Sequence, residues 1–146
     1  MSIAILAVAC AFAGRPEPSP PPVDDQSIAF ARRIVSFYGT LRGRPLEAFQ
    51  TFQDAKLRAY FASPEAFSDW YAPVANRVRD SHLRFGTPEE VRIRAFRFVD
   101  ADTAQVDVVL VGPHERPLRF GPVEVELTDV WRRSEDGIWM LTPDRL

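Results

Sequence analysis

The spacing of apolar residues changes once along this chain, and that change constrains the fold more than any other feature. Before the segment at residues 86–88 (Gly-Thr-Pro), apolar residues recur every three to four positions, as in helices with one buried face. After it they recur at every second position, as in strands with one buried face. Helices followed by strands predict an α+β fold. Short loops between the strands predict an antiparallel sheet of about four strands, with one face covered by the N-terminal helices.

Capping residues mark the start of two of the expected helical regions. Asp24 or Asp25 caps a helix that runs to about Leu41. The Ser63-Pro64 pair starts another, because a capping hydroxyl is followed by a proline at the first turn. We expect Pro73 to break or kink this second helix, since proline cannot donate a hydrogen bond to the preceding turn.

The N-terminus has the pattern of an export signal. Residues 3–13 (IAILAVACAFA) form an uncharged apolar run. It is shorter than the roughly 20 residues that span a bilayer, but it suits the core of a signal peptide. Cleavage after Ala13 fits an ordinary secretory signal. Alternatively, Ala7-Val8-Ala9-Cys10 resembles a bacterial lipobox, in which the cysteine becomes the lipidated first residue. Residues 1–13 are therefore predicted to be a signal sequence, with Cys10 as the lipid attachment point.

A proline-rich linker follows this apolar run. The ten residues GRPEPSPPPV hold five of the 13 prolines of the chain, which favours an extended, semi-rigid spacer. We predict a linker over residues 14–24 and one α+β domain over residues 25–146. A spacer between an apolar segment and a domain is typical of an anchored exported protein. The predicted location is the bacterial cell envelope, either membrane-anchored or periplasmic.

Charge and cysteine content exclude several functional classes. The chain carries 18 Lys and Arg against 20 Asp and Glu, whereas nucleic-acid binders normally show a basic excess. One cysteine excludes an intrachain disulfide and any multi-cysteine zinc or iron–sulfur site. The two histidines, His82 and His114, are isolated in sequence and form no recognisable metal-binding pair. No phosphate-binding loop or other cofactor motif is present, so no cofactor is expected.

Asp129 is the acidic residue with the most informative position. Counting by twos from Val123 places Asp129 and Trp131 on the apolar face of their strand. A carboxylate buried there has its pKa raised by desolvation and can act as a general acid or base. Two alternatives are structural. A bulge near Thr128 would turn Asp129 outward, or Arg97 would pair with it across the sheet and satisfy both charges without catalysis.

Five other side chains are candidates for a site. His82 lies where the helices give way to the sheet, and its imidazole titrates near neutrality, so it could carry a proton. A histidine at a helix end can equally cap carbonyls or face solvent. The aromatic residues Tyr38, Trp70 and Tyr71, with Trp131 of the sheet, could line a ligand cavity. Aromatic residues at helical spacing can equally be part of the core.

The order of elements and the C-terminal segment resemble one known superfamily. Helices followed by a sheet that ends on DVWRRSEDGIWML, residues 129–141, are similar to the nuclear transport factor 2-like proteins, including SnoaL-like and ketosteroid-isomerase-like members. The Phe37-Tyr38-Gly39 end of the first helix is also similar. The resemblance implies a cone of helices on a curved sheet around an apolar cavity. Such a cavity binds a small molecule, hosts catalysis or is filled by side chains, and such cones often pair through the open face of the sheet.

Three functions follow as hypotheses. The first is an exported, lipid-anchored domain that binds a small apolar ligand or a partner without catalysis. The second is a small isomerase or dehydratase that uses Asp129 or His82 for proton transfer. The third is a structural module that forms a homodimer. An enclosed pocket with an unpaired Asp129 inside it favours the enzyme, whereas a filled cone or an Arg97–Asp129 pair rules against the enzyme.

Overall fold

The computed structural model describes residues 24–143. The predicted signal sequence, Cys10 and nearly all of the predicted linker lie outside the described residues. Four helices precede one antiparallel sheet with the strand order β1-β2-β3-β4, so the predicted α+β fold is confirmed. The helices are α1 (Asp25–Leu41), α2 (Phe49–Phe52), α3 (Ala55–Arg58) and α4 (Pro64–Asp80), and the strands are β1 (Glu90–Asp100), β2 (Thr103–Pro113), β3 (Pro122–Arg133) and β4 (Trp139–Thr142).

Side-chain caps fix the start of the two long helices. The Asp24 carboxylate accepts a hydrogen bond of 2.8 Å from the Ser27 amide at the start of α1. The Ser63 hydroxyl accepts one of 3.1 Å from the Ala66 amide at the start of α4. Each cap satisfies an amide that has no partner within its helix. Both predicted starts are confirmed.

The predicted break at Pro73 is wrong, because α4 continues through it to Asp80. Pro73 lies on the exposed side of the helix, beside the exposed residues Ala72 and Asn76. The missing amide therefore removes a hydrogen bond from the solvent side, where water reaches the backbone. The buried side, which includes Trp70 and Val74, keeps its contacts with the core. Within the described residues, no helix is long and apolar enough to span a membrane.

A register shift in β1 changes which of its residues face the helices. The pairing of β1 with β2 shifts between Ile93 and Ala95. Beyond this shift, Phe96 and Phe98 turn toward the helices, and their ring centroids lie 5.4 Å and 5.3 Å from the ring of Phe30 in α1. The pairing of β2 with β3 has no shift along its whole length.

Aromatic rings pack the space between the helices and the sheet. Trp131 is fully buried at its centre. Its ring lies 6.2 Å from that of Phe30, 5.5 Å from Phe37 and 6.4 Å from Tyr60, centroid to centroid. The small side chain of Ala104, opposite Trp131 in the sheet, leaves room for the indole. The described part of the chain therefore has a filled aromatic core.

The opposite face of the sheet carries charged side chains. Arg92 of β1 lies 3.6 Å from Glu124 of β3, and Arg94 lies 2.5 Å from Glu126. These pairs span β2, where Val109 points outward yet is only 1% exposed. Long charged side chains cover apolar groups in this way while their charged ends stay in water. The outer face therefore consists of ion-paired side chains that cover a thin apolar layer.

Candidate functional site

Asp129 lies on the inner face of β3 with both carboxylate oxygens hydrogen-bonded. The unbroken β2–β3 register places it on the helix-facing side, as predicted, and only 6% of the residue is exposed. The Tyr38 hydroxyl of α1 donates to Oδ2 at 2.6 Å. The Trp70 indole N–H of α4 donates to Oδ1 at 2.8 Å. Asp129 therefore joins the two long helices to the sheet.

A fourth side chain extends this arrangement. The indole N–H of Trp131 donates to the Tyr38 hydroxyl oxygen at 3.2 Å. We name Tyr38, Trp70, Asp129 and Trp131 the Asp129 cluster. Among the described residues, no buried side-chain nitrogen or oxygen lacks a hydrogen-bond partner. Buried polar groups stabilise a fold when each of them is satisfied in this way.

The two alternatives for Asp129 are wrong. No bulge near Thr128 turns the carboxylate outward, because the β2–β3 pairing is continuous. Arg97 does not pair with it, since the shift in β1 turns this side chain to the outer face, where it donates to the Gln105 side chain. The donors that do satisfy Asp129 are neutral. Such donors hold a buried carboxylate in place without a buried counter-ion.

Burial controls the protonation of the Asp129 cluster. Desolvation raises the pKa of Asp129 above its ordinary value, while the hydrogen bonds from Tyr38 and Trp70 act in the opposite direction. Burial raises the pKa of Tyr38 well above its ordinary value, and the nearby Asp129 charge adds to that effect. Tyr38 therefore keeps its proton at neutral pH and serves as a permanent donor to Asp129.

A shallow cleft reaches the edge of the Asp129 cluster. It lies between α4 and β3, has a volume of about 190 Å³, and is bordered by Trp70, Arg77, Thr128, Asp129 and Pro143. Sites for drug-sized ligands usually enclose about 300–1,000 Å³. The cleft is therefore smaller than a typical ligand site, and the carboxylate that borders it is nearly buried.

The aromatic candidates for a ligand cavity lie in the core. Tyr38, Trp70 and Trp131 are buried and hydrogen-bonded within the Asp129 cluster. Tyr71 is also buried, and its hydroxyl donates to the backbone carbonyl of Leu46 ahead of α2. Each polar group therefore has a structural partner.

The two histidines meet on the surface rather than in the core. A bridge between residues 83 and 114 brings the His82 and His114 rings to a centroid distance of 5.6 Å. His82 Nδ1 lies 2.7 Å from a carboxylate oxygen of Glu115, and His114 Nδ1 accepts a hydrogen bond from the Arg116 amide. The two residues are isolated in sequence but adjacent in space, because the topology joins the end of α4 to the β2–β3 loop. Residues 24–143 nevertheless contain no group of three or more side chains placed to hold a metal ion.

A larger groove lies beside these histidines. It has a volume of about 580 Å³ and is formed by the end of β2, the start of β1 and the loop before β3. The sequence predictions do not single out this loop as a site. The available signal was the pair of arginines among apolar residues in RPLRF, residues 116–120. The residues that line it include Arg84, Glu89, His114, Arg116, Arg119 and Phe120.

Comparison with protein-family models, with curated proteins and with solved structures finds no match for this chain. The similarity to nuclear transport factor 2-like proteins therefore stays a prediction. A functional assignment rests on the geometry of the Asp129 cluster, the small cleft and the groove.

Proposed function

We propose that this chain is an exported, lipid-anchored binding module that carries out no catalysis. In this proposal it binds its ligand or partner at the groove beside the β2–β3 loop. The observation that carries the proposal is the packed interior, in which Trp131 is fully buried at the centre of the aromatic core. Because side chains fill the space between the helices and the sheet, a ligand or partner has to bind on the surface of the domain.

The geometry of Asp129 supports a structural role for its carboxylate. A general acid or base must come within hydrogen-bonding distance of the proton that it transfers. Each Asp129 oxygen is already bound by a fixed donor, and the neighbouring cleft of about 190 Å³ is small. An isomerase or dehydratase that uses Asp129 would need substrate to reach this nearly buried group. The proposal therefore ranks the enzyme below the binding module.

The outer face of the sheet argues against the structural homodimer. The centre of a protein interface is normally depleted of charged residues. Here Arg92, Arg94, Glu124 and Glu126 already pair with one another across that face. Burying these side chains against a second copy would remove their charges from water without supplying new partners, which costs free energy.

The groove has the size and the mixed chemistry of a binding site. Its volume of about 580 Å³ lies within the usual range for ligand sites. Arg84, Arg116 and Arg119 supply positive charge, and Phe120 supplies apolar surface. This is why the proposal places binding at the groove rather than at the cleft.

Substitution of Cys10 tests the anchor. In a bacterial host that lipidates exported proteins, we expect the full chain to fractionate with membranes and to incorporate labelled palmitate. Cys10→Ala should lose both properties, because the thiol is the predicted attachment atom. Stable anchoring requires two or more acyl chains.

A second substitution separates the two processing hypotheses. Ala13→Asp places a charge at the alternative cleavage site and should leave the lipidated form unaffected. If Cys10→Ala matches the unsubstituted chain in fractionation and labelling while Ala13→Asp changes processing, the anchor part of the proposal is wrong and the signal is an ordinary secretory one.

A further inference from the structure

The loop between β2 and β3 ends in two apolar side chains that the rest of the described chain leaves uncovered. Leu118 is 86% exposed and Phe120 is 98% exposed. We name Arg116, Leu118, Arg119 and Phe120, together with Arg84 across the groove, the hairpin tip. We propose that the hairpin tip docks on an anionic lipid surface, with the two apolar side chains among the lipids and the arginines at the headgroups. This inference rests on the proposed function, since it names the partner of the groove.

The charges of the hairpin tip complement phosphate headgroups. Within residues 24–143, the guanidinium groups of Arg84, Arg116 and Arg119 form no ion pair or hydrogen bond. Charges already satisfied within the protein would gain little from a headgroup, whereas these three are available. Each arginine close to an anionic membrane contributes a favourable interaction, and its aliphatic stem can lie along apolar groups.

The acidic side chains that border the groove are set back from the hairpin tip. Glu90 starts β1 opposite Val111, two residues before the end of β2, and Glu89 directly precedes it, whereas the loop extends beyond that end. Glu90 also pairs with Arg92, and Glu115 lies against His82. The outermost segment, residues 116–121, contains two arginines and no acidic residue.

The backbone holds the hairpin tip in a restricted conformation. Pro113 and Pro122 lie opposite each other at the end of the β2–β3 ladder. Proline has no amide to continue the ladder, so the loop separates from the sheet at this point. Pro117 restricts the loop further, and Gly121, at φ 102°, supplies a backbone conformation that favours glycine. A restricted loop loses little conformational entropy when it binds.

Exposure on nearly all sides favours a lipid surface over a protein partner. A flat protein surface covers one side of a protruding ring and leaves the others in water. A lipid headgroup layer surrounds an inserted side chain completely. The nearly complete exposure of Leu118 and Phe120 therefore matches insertion into lipid.

The predicted anchor is compatible with this contact. Phe30 near the start of α1 packs against Phe98 and Trp139, so the linker joins the domain at the end opposite the hairpin tip. Strand β2, with 11 residues, spans about 36 Å between these ends. The ten residues of the predicted linker before Asp24 reach roughly 30 Å when extended as polyproline. A linker of nearly that length lets an anchored domain bring the hairpin tip to the membrane.

A tryptophan reporter on the full chain tests the proposal. Phe120→Trp places an indole at the hairpin tip, whereas the native Trp70, Trp131 and Trp139 are buried. With vesicles made of equal parts phosphatidylcholine and phosphatidylglycerol, we expect a blue shift of the new emission and quenching by brominated acyl chains. Vesicles of phosphatidylcholine alone should give little of either effect.

Two variants provide the controls. Val99→Trp places the reporter at the opposite end of the sheet, on a residue that is 62% exposed, and it should stay unquenched. A second variant adds Arg84→Gln, Arg116→Gln and Arg119→Gln to Phe120→Trp. It should raise the lipid concentration needed for half-maximal quenching by roughly a hundredfold, since three favourable contacts are lost. All reporters carry the same N-terminus, so an anchor contributes equally to each.

The outcomes are separable from those of the anchor experiment. An unquenched Phe120→Trp overturns the lipid assignment and leaves a protein as the partner of the hairpin tip, even if Cys10 still retains the chain at the membrane. Equal quenching of Phe120→Trp and Val99→Trp also overturns it. Quenching that survives the three arginine substitutions overturns the role assigned to charge. Selective quenching supports the hairpin tip and rejects the anchor when Cys10→Ala matches the unsubstituted chain in both fractionation and palmitate labelling.

Discussion

Replacing Asp129 with alanine is expected to lower the free energy of unfolding by about 4 kcal/mol. The substitution leaves the Trp70 indole N–H and the Tyr38 hydroxyl as buried donors without an acceptor. It also opens a small cavity at the junction of α1, α4 and β3. Domains of this size are stable by about 5–15 kcal/mol, so the loss removes a large part of the total. Urea unfolding at neutral pH, followed by circular dichroism, measures it.

Two further variants distinguish the loss of the carboxylate acceptors from a general sensitivity of β3 to substitution. Asp129→Asn keeps the shape and one acceptor oxygen, so it should cost about 2 kcal/mol, since one buried donor is still left unpaired. Thr128→Ala removes an exposed hydroxyl that bonds to Asp107 on the outer face, and it should cost less than about 1 kcal/mol. If Asp129→Ala costs no more than Thr128→Ala, the carboxylate has no structural role and the account of the Asp129 cluster is wrong.

Replacing Trp131 with alanine is expected to cost about 5 kcal/mol. The indole is fully buried and packs against rings from α1 and from the segment at Tyr60. It also donates to the Tyr38 hydroxyl, so its loss weakens the Asp129 cluster as well. Packed interiors relax only partly around a deleted ring, and the remaining cavity adds to the loss of buried apolar area. Thermal and urea unfolding of the variant measure this effect.

Trp131→Phe is the matched control for this prediction. It keeps most of the ring contacts and removes the indole N–H, so we expect a loss of about 2 kcal/mol. A loss below about 1 kcal/mol for Trp131→Ala would mean that the interior tolerates a large void. That result would indicate a ligand-sized cavity and would favour the enzyme over the binding module.

The inward position of Asp129 was predictable because it follows from local periodicity. The alternation from Val123 to Trp131 is regular, and the β2–β3 pairing is continuous. The donors to Asp129 were not predictable in the same way. Tyr38 and Trp70 lie 91 and 59 positions away along the chain. Nothing in the sequence states which turn of each helix faces this point of the sheet.

The errors in the sequence predictions have local physical causes. The Arg97 prediction assumed a regular strand, but the shift between Ile93 and Ala95 moves the side chains from Ala95 to Phe98, including Arg97, to the other face. The apolar pair Phe96 and Phe98, which is out of step with Val91 and Ile93, was the available signal. Pro73 was expected to interrupt α4, but periodicity alone did not show that it lies on the solvent side of that helix.

The surface features were the least predictable. His82 and His114 are 32 positions apart, and only the bridge between residues 83 and 114 brings them together. The hairpin tip reads as a polar turn until the structure shows that Leu118 and Phe120 contact little of the domain. Exposure of this kind depends on where the loop projects, which the spacing of apolar residues does not encode.

Hydrogen exchange of the indole N–H groups tests the closed interior most directly. In the structure the N–H groups of Trp70 and Trp131 are buried donors within the Asp129 cluster, whereas that of Trp139 has no hydrogen-bond partner within residues 24–143. We therefore expect Trp70 and Trp131 to exchange only when the domain unfolds, and Trp139 to exchange much faster. Indole exchange followed by NMR after transfer into heavy water gives all three rates. Rapid exchange of Trp70 and Trp131 would show water at Asp129 and would contradict the filled, non-catalytic interior.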